Sequence, residues 1–330
     1  MAESRPIGIV LLQLGGPDSL ENVEPFLYNL FCDPDIIDLP LAFLFRKPLA
    51  KFISRRRAPK VREYYKRIGG RSPILKLTVR QAQALQCALS GKVNSKTMIA
   101  MRYWHPMTDE AIEAIRKSGI ERVILLPLYP HYSKTTTGSS VNEWRRMLDR
   151  QQVNGLQVEI VEEYCEHPLY IKALVSNINV ALKRVKPSDR SKVHLVFSAH
   201  GTPVKLVGAG DPYQQEIIRT YNAVVKAGNF GLPHDLCYQS KVGPEEWLEP
   251  SLDDTIQRLG NEKVSHIIVI PIAFVSDHSE TLWEINIEAR EHAKHLGIKH
   301  FDMSPGLNNN PFFIQALADI VQTRVRRWAT

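Results

Sequence analysis

Three strand endings occur twice in this chain, in the same order, and that duplication limits the possible folds more than any other feature. Residues 7–17, IGIVLLQLGGP, match residues 193–203, VHLVFSAHGTP: an apolar run meets a glycine, with a proline two residues later. MIAMRYWHP, ending at Pro106, matches LCYQSKVGP, ending at Pro244. VILLPLYPHYSKTTT, from Val123, matches IIVIPIAFVSDHSET, from Ile267. Proline stops a hydrogen-bonded ladder and bends the chain away, so each match reads as the carboxyl end of a strand. Longer amphipathic stretches alternate with these short apolar runs, the pattern of strand-helix-strand units on a parallel sheet. The expectation is an α/β protein of two similar domains, residues 1–155 and 156–330. A chain of 330 residues is long enough for two buried cores.

Ligands of open α/β sheets bind at the carboxyl ends of the strands, so the repeat nominates three loops in each half before any chemistry is considered. Superposing the halves puts Leu14 in the place of His200 and Thr136 in the place of Glu280. The second half thus has titratable groups where the first has apolar or neutral ones. That asymmetry predicts a site with one reactive and one apolar wall. His200 directly follows an apolar strand and precedes a glycine, and an imidazole there can accept a proton near neutral pH or ligate a metal. In VSDHSETLWEINIEARE, residues 275–291, Ser276, Asp277 or Ser279 can cap a helix. Glu280, Glu284 and Glu288 then fall on one face, a turn apart. Such a row of carboxylates can hold or pass a hydrated divalent cation, or simply form a solvated helix face. No phosphate-cradling glycine loop, nucleophile elbow or zinc-type histidine pair competes with this reading.

The interval between matching prolines is longer in the first half, and the excess is expected between residues 26 and 68. That stretch also holds the charge. Residues 41–67 carry ten cations against Glu63 alone, a local +9 within a net +7, so the rest of the chain sums to −2. Charge this localised argues against a nucleic-acid surface. Aromatic and apolar residues interleaved with cations make a lip suited to a flat, carboxylate-bearing ligand and to peripheral membrane contact. The four cysteines lack metal-ligand spacing. The apolar run 36–45 is too short to span a bilayer, and nothing at the amino end reads as a signal peptide, so a cytoplasmic protein is expected. Residues 310–328 read as a closing helix packed on the core, with Arg324, Arg326 and Arg327 suiting its carboxyl-terminal dipole.

LLQLGGPDS, YYKRIGGRSPI, YPHYSKTTTGSS, FSAHGTP, YQSKVGPEEWLEPS and PIAFVSDHSETLWE together resemble the ferrochelatase family, in order and from about residue 7 to past residue 300. The resemblance implies two Rossmann-like domains, class II chelatase-like, with a porphyrin cleft between them. It implies a lyase that inserts Fe2+ into protoporphyrin IX with release of two protons, the last step of haem biosynthesis, with iron as substrate and no organic cofactor. On that resemblance His200 and Glu280 are the catalytic positions, and His200, Glu280 and Glu284 the metal positions. Porphyrin contacts fall on Leu14, Arg102, Tyr103, Trp247, Phe274 and His278, with Arg57, Tyr65 and Ser72 as propionate contacts on or beside the lip. Some relatives carry a [2Fe-2S] cluster on carboxyl-terminal cysteines. The last cysteine here is Cys237, so no cluster is expected. Two rival readings stay open at this point. One is a chelatase for coproporphyrin or another metal; the other is a tetrapyrrole-binding protein without catalysis.

Overall fold

Each doubled sequence ending closes a strand. The computed structural model describes residues 5–36 and 42–328, with backbone alone at 42–44. Strands β1 (Ile7–Gln13), β2 (Ser95–Met101), β3 (Arg122–Pro127) and β4 (Gln157–Ile160) form one sheet in the order β2-β1-β3-β4. Strands β5 (Val193–His200), β6 (His234–Gln239), β7 (His266–Pro271) and β8 (His300–Met303) form a second in the order β6-β5-β7-β8. All neighbours run parallel. The register carries the repeat residue by residue. Leu12 pairs with Pro127 in the first sheet and Ser198 with Pro271 in the second. Two residues on, Leu14 and His200 therefore hold the same place in their sheets.

The central strands β1, β3, β5 and β7 are buried along nearly their whole length, as expected when helices cover both faces of a parallel sheet. In the first unit Val10, Leu12, Val123 and Leu125 pack with Ile112, Ile115 and Trp144 from the covering helices. In the second, Val196, Cys237 and Val269 pack with Ile256, Leu259 and Ile285. All four cysteines are free.

Two boundaries differ from the expectation. β4 pairs with β3, so the first sheet runs past residue 155. The compact units are residues 1–163 with 314–330, and residues 164–313. The closing helix, Pro311–Arg327, is assigned from Ile314 onward to the first unit rather than the second. The cause is visible in its contacts: Arg324 pairs with Glu159 of β4 at 2.7 Å, and Arg122 of β3 stacks over Trp328. Phe313, Leu317 and Val321 are fully buried, one helical turn apart.

The excess length of the first half lies where expected. Between β1 and β2 stand helices Val23–Phe31, Ala42–Arg67 and Ile74–Leu89, against Val204–Gly208 and Tyr213–Gly228 between β5 and β6. The helix Ala42–Arg67, 26 residues long, carries the basic cluster. Residues 37–41, part of the apolar run 36–45 and of the lip 26–68, lie outside the described residues. Among the described residues no helix is long and apolar enough to cross a membrane.

Candidate active site

The carboxyl ends of β5, β6 and β7 bring six of the nominated side chains together within the second unit. Gly201, directly after β5, makes the close packing possible. A Cβ there would stand 2.9 Å from the Gln239 carbonyl oxygen, at the end of β6. Its counterpart in the first half, Gly15, has φ +87 and would place a Cβ 3.0 Å from the Trp104 amide nitrogen. Both halves thus use glycine where the chain leaves one strand and crosses the end of its neighbour.

His200 is the last residue of β5, with Nδ1 2.8 Å from Glu280 Oε2. A carboxylate can only accept, so Nδ1 carries a proton, and in the neutral ring Nε2 keeps its lone pair. The Tyr213 hydroxyl donates to the His200 carbonyl at 2.9 Å, tying down the strand end. On the other side of Glu280, His278 Nε2 lies 3.8 Å from the same Oε2, while His278 Nδ1 faces the Ser276 carbonyl at 3.0 Å. Phe274 packs against both imidazoles, with ring centroids 6.4 Å from His200 and 4.8 Å from His278. Trp247 bridges to Pro203 and lines the turn at Gly201. His278 is buried, whereas more than a third of the His200 side chain is exposed, so its ring is open to a ligand.

The electrostatics separate the two acids. Burial opposes ionisation of Glu280, but the two histidines outweigh it and hold its carboxyl far below the usual carboxylate range. Burial likewise opposes the charged form of His200 and of His278, and the Glu280 carboxylate outweighs it, raising both. Glu284 goes the other way. Burial, and then the charge on Glu280, push it up to about 7, against the Ser240 hydroxyl and Gln239 amide that lower it. Gln239 Nε2 donates to Glu284 Oε2 at 3.1 Å and to the Glu280 carbonyl at 3.1 Å, while its Oε1 accepts from Ser198 at 2.8 Å. Ser240, at φ +68, also donates to Glu284. The pair therefore has one permanent anion and one acid poised near neutrality.

The acids differ from the expectation in their backbone. Glu280–Ala289 is a π-helix rather than an α-helix, and Ser279 at its start makes no side-chain cap. The corresponding loop of the first half also opens on a π-helical turn, Lys134–Gly138. Wide turns of this kind are uncommon and concentrate at functional positions. Along the row exposure increases from half-buried Glu280 and Glu284 to exposed Glu288, so the acids lead outward to solvent.

The first-unit residues form their own arrangement. Leu14, Tyr65 and Tyr103 belong to one apolar cluster with Phe26 and Val61. The Arg102 and Leu14 stretches are sewn together, Gln13 and Leu14 carbonyls accepting from the Arg102 and Tyr103 amides at 2.8 and 3.0 Å. The polar atoms of Arg102 and Tyr103 converge on Asp33, whose side chain is fully buried. Arg102 pairs with it at 2.8 Å, and the Tyr103 and Ser139 hydroxyls donate to its other oxygen. Ser72 is buried against Gly16, where a Cβ would meet its Oγ at 2.6 Å. Arg57 is exposed, its guanidinium 5.6 Å from the Phe31 ring.

Ser198, Gln239, Ser240 and Asp33 were not singled out from the sequence, and Asp277 was singled out only as a possible helix cap. Gln239 and Ser240 stand at a strand end nominated by the repeat, which is the signal that could have found them. Elsewhere in the second unit, a basic cavity of about 520 Å³ surrounds stacked His266 and His300 at the amino end of β7. It contains none of the site residues. Its cations Arg184 and Lys294 sit in the last turns of their helices, where they offset the dipole.

Comparison with known proteins bears on what this arrangement does. The family model described as ferrochelatase matches residues 6–325. The ferrochelatase of Geotalea uraniireducens (strain Rf4) is 49% identical over 318 residues, covering 96% of this chain and 97% of the relative. That of Aquifex aeolicus (strain VF5) is 47% identical, covering 96% and 99%. Among solved structures, SirB from Bacillus subtilis with Fe3+ superposes at a TM-score of 0.57 and 11% identity, covering 96% of this chain and 94% of that one. The sirohydrochlorin chelatase SirB from Bacillus subtilis subspecies spizizenii, in complex with cobalt, superposes at 0.53 and 10% identity, covering 95% and 93%. At those identities the likeness bears on the fold alone.

Proposed function

The chain belongs to the ferrochelatase family, and from that premise we propose that His200 and Glu280 carry out the proton chemistry of ferrous-iron insertion into protoporphyrin IX. The enzyme is a metal chelatase, a lyase of haem biosynthesis. Its iron is a substrate, and the reaction exchanges two pyrrole protons for one divalent cation.

The observation that supports this most is the 2.8 Å contact between His200 Nδ1 and Glu280 Oε2. Because Glu280 stays ionised, it fixes the Nδ1–H tautomer and makes Nε2 a stronger base. In our reading Nε2 accepts a pyrrole proton, and the resulting imidazolium is held by Glu280. Glu284, with a pKa near 7, takes up and releases protons at working pH, and Glu288 hands them to solvent. Glu280 and Glu284, with His200, are also the groups that supply nitrogen and oxygen ligands to an arriving iron. Phe274, His278 and Trp247 of the second unit and Leu14, Arg102 and Tyr103 of the first are porphyrin contacts, with Tyr65 and Ser72 as propionate contacts. Arg57, an exposed cation, pairs with a propionate.

The test is anaerobic incubation of His200→Ala with protoporphyrin and Fe2+ or Zn2+, following the visible spectrum. The variant should bind porphyrin and lose chelation; near-normal chelation overturns the assignment. Running coproporphyrin beside protoporphyrin decides between those substrates, and a stoichiometric complex that never takes up metal would revive a purely binding role.

A second reading concerns the lip. Phe45 and Phe52 are 59% and 62% exposed on the basic helix, beside Lys51, Arg55 and Arg56. Exposed aromatics among cations favour peripheral contact with an anionic membrane surface. Co-sedimentation with phosphatidylserine vesicles that survives Phe45→Ser/Phe52→Ser unchanged would refute it.

A further inference from the structure

The segment that delivers His278 and Glu280 has little regular structure of its own. Residues 272–278 form only turns and bends between β7 and the π-helix. A loop of this length keeps catalytic groups in place only if something outside it holds it.

The holding contacts come from the segment after β8. Asn308 Oδ1 accepts the Asp277 backbone N–H at 3.0 Å, and Asn308 Nδ2 donates to the Asp277 carboxylate at 2.7 Å. The Asn308 backbone N–H donates to the Val275 carbonyl at 2.8 Å. Asn308 has φ +42, a left-handed conformation that asparagine tolerates better than most residues. Gly306 approaches so closely that a Cβ would lie 2.8 Å from Asp277 Oδ1. The clamp is itself anchored, since Asn177 of helix Pro168–Arg184 donates to the Pro305 and Gly306 carbonyls at 2.9 and 3.0 Å.

Asp277 passes this fixation to the site. The Thr281 hydroxyl stands 3.2 Å from both the Asp277 carboxylate and the His278 carbonyl, and its Oγ1 accepts the His278 N–H at 3.1 Å. Asn308, Asp277, Thr281 and His278 thus form a continuous hydrogen-bonded chain that ends beside Glu280.

We propose that Asn308 is a positioning residue for metal insertion, acting through Asp277 to set where His278 and Glu280 stand. This rests on reading His200 and Glu280 as the reactive pair. Asn308 bonds the loop at Val275 and Asp277 and acts on the reactive pair through them. Its effect is to keep Glu280 within bonding distance of His200, and displacements of an ångström at such a pair can lower a rate by about a hundredfold.

Exchanging the two partners tests it. Asn308→Asp alone sets two carboxylates face to face, and Asp277→Asn alone leaves one side-chain oxygen where Asn308 and Thr281 need two. Together they rebuild every bond: Asn at 277 donates to Asp at 308, still accepts from Thr281, and Asp at 308 accepts the residue 277 N–H. With Zn2+ and protoporphyrin, each single variant should lower kcat about tenfold or more while the porphyrin Kd changes less than about twofold. The double variant should recover to within about threefold of the wild type, a non-additivity expected only of partners in contact. Thr281→Val, which keeps the side-chain shape but removes the hydroxyl, reads the same chain should the single variants not fold, and should show the same selective loss of kcat. Wild-type kcat in folded single variants, in Thr281→Val, or a double variant as slow as the singles overturns the proposal. His200→Ala run alongside separates the two failures: full activity there defeats the site assignment, whereas loss there with full activity in Asn308→Asp defeats only the clamp.

Discussion

Replacing Glu284 by glutamine should stabilise the ligand-free protein at alkaline pH and leave it nearly unchanged at pH 4.5. Burial first, and the Glu280 charge second, push this carboxyl from 4.5 up to about 7, despite donors on Ser240 and Gln239. A carboxyl whose pKa is higher in the folded than in the unfolded state holds an extra proton when folded between those two values. Stability therefore falls as pH rises through the window from about 4.5 to about 7. Below it both states are protonated and there is no penalty; above it both are ionised and the penalty is complete. At about 1.4 kcal/mol for each pH unit, the ceiling is about 3 kcal/mol. The side chain is half-buried and shares its charge with Glu280, which brings the expected effect to roughly 1–2 kcal/mol. Glutamine has nearly the same shape and never ionises, so the variant escapes the penalty. Urea unfolding of both proteins at several pH values from 4.5 to 8.5, at fixed salt, measures the difference directly. The two stability curves should meet at low pH and separate by roughly 1–2 kcal/mol above pH 7. Parallel curves would refute the reasoning. So would a variant that is weaker at high pH, because Ser240 and Gln239 would then over-compensate the ionised acid.

Three further outcomes follow from the geometry. Glu280→Gln removes the charge that raises His200, so the acid limb of the pH–rate profile for Zn2+ insertion should move to lower pH while the maximal rate falls at least about tenfold. Asp33→Ala leaves Arg102 buried without its closest counter-charge and strips acceptors from the Tyr103 and Ser139 hydroxyls; denaturant unfolding should register a loss of roughly 3–5 kcal/mol. Gly201→Ala must push Gln239 away from a Cβ only 2.9 Å from its carbonyl; unfolding should show a loss of about 1–3 kcal/mol, with slower metal insertion because Gln239 holds Glu284.

The fold was legible in the sequence because parallel strands buried on both faces write themselves as apolar runs, and their ends as prolines and glycines. The same signal, read twice, yields the two sheets and the shared place of Leu14 and His200. It misplaced β4 and the closing helix, since a short edge strand and an amphipathic helix carry no mark of which core they join. The acid row was legible as a row but not as a π-helix. Acids four residues apart stay near one face in either kind of turn, and backbone hydrogen bonds, not side-chain spacing, decide between them.

Local sequence alone determined which groups reach the strand ends: His200 after β5, the acids after β7, glycine where strands cross. Those placements follow from chain direction and pleat, which short segments encode. Only the tertiary structure decided what state the groups are in. Glu280 is an anion because His200 and His278 flank it; Glu284 keeps a proton near neutrality because burial and Glu280 oppose its charge. Asn308 becomes relevant only because its loop returns to meet Asp277. Charge, burial and hydrogen bonding act through space over a few ångströms, and residues 200, 239 and 280, like 277 and 308, become neighbours only when the second sheet is assembled.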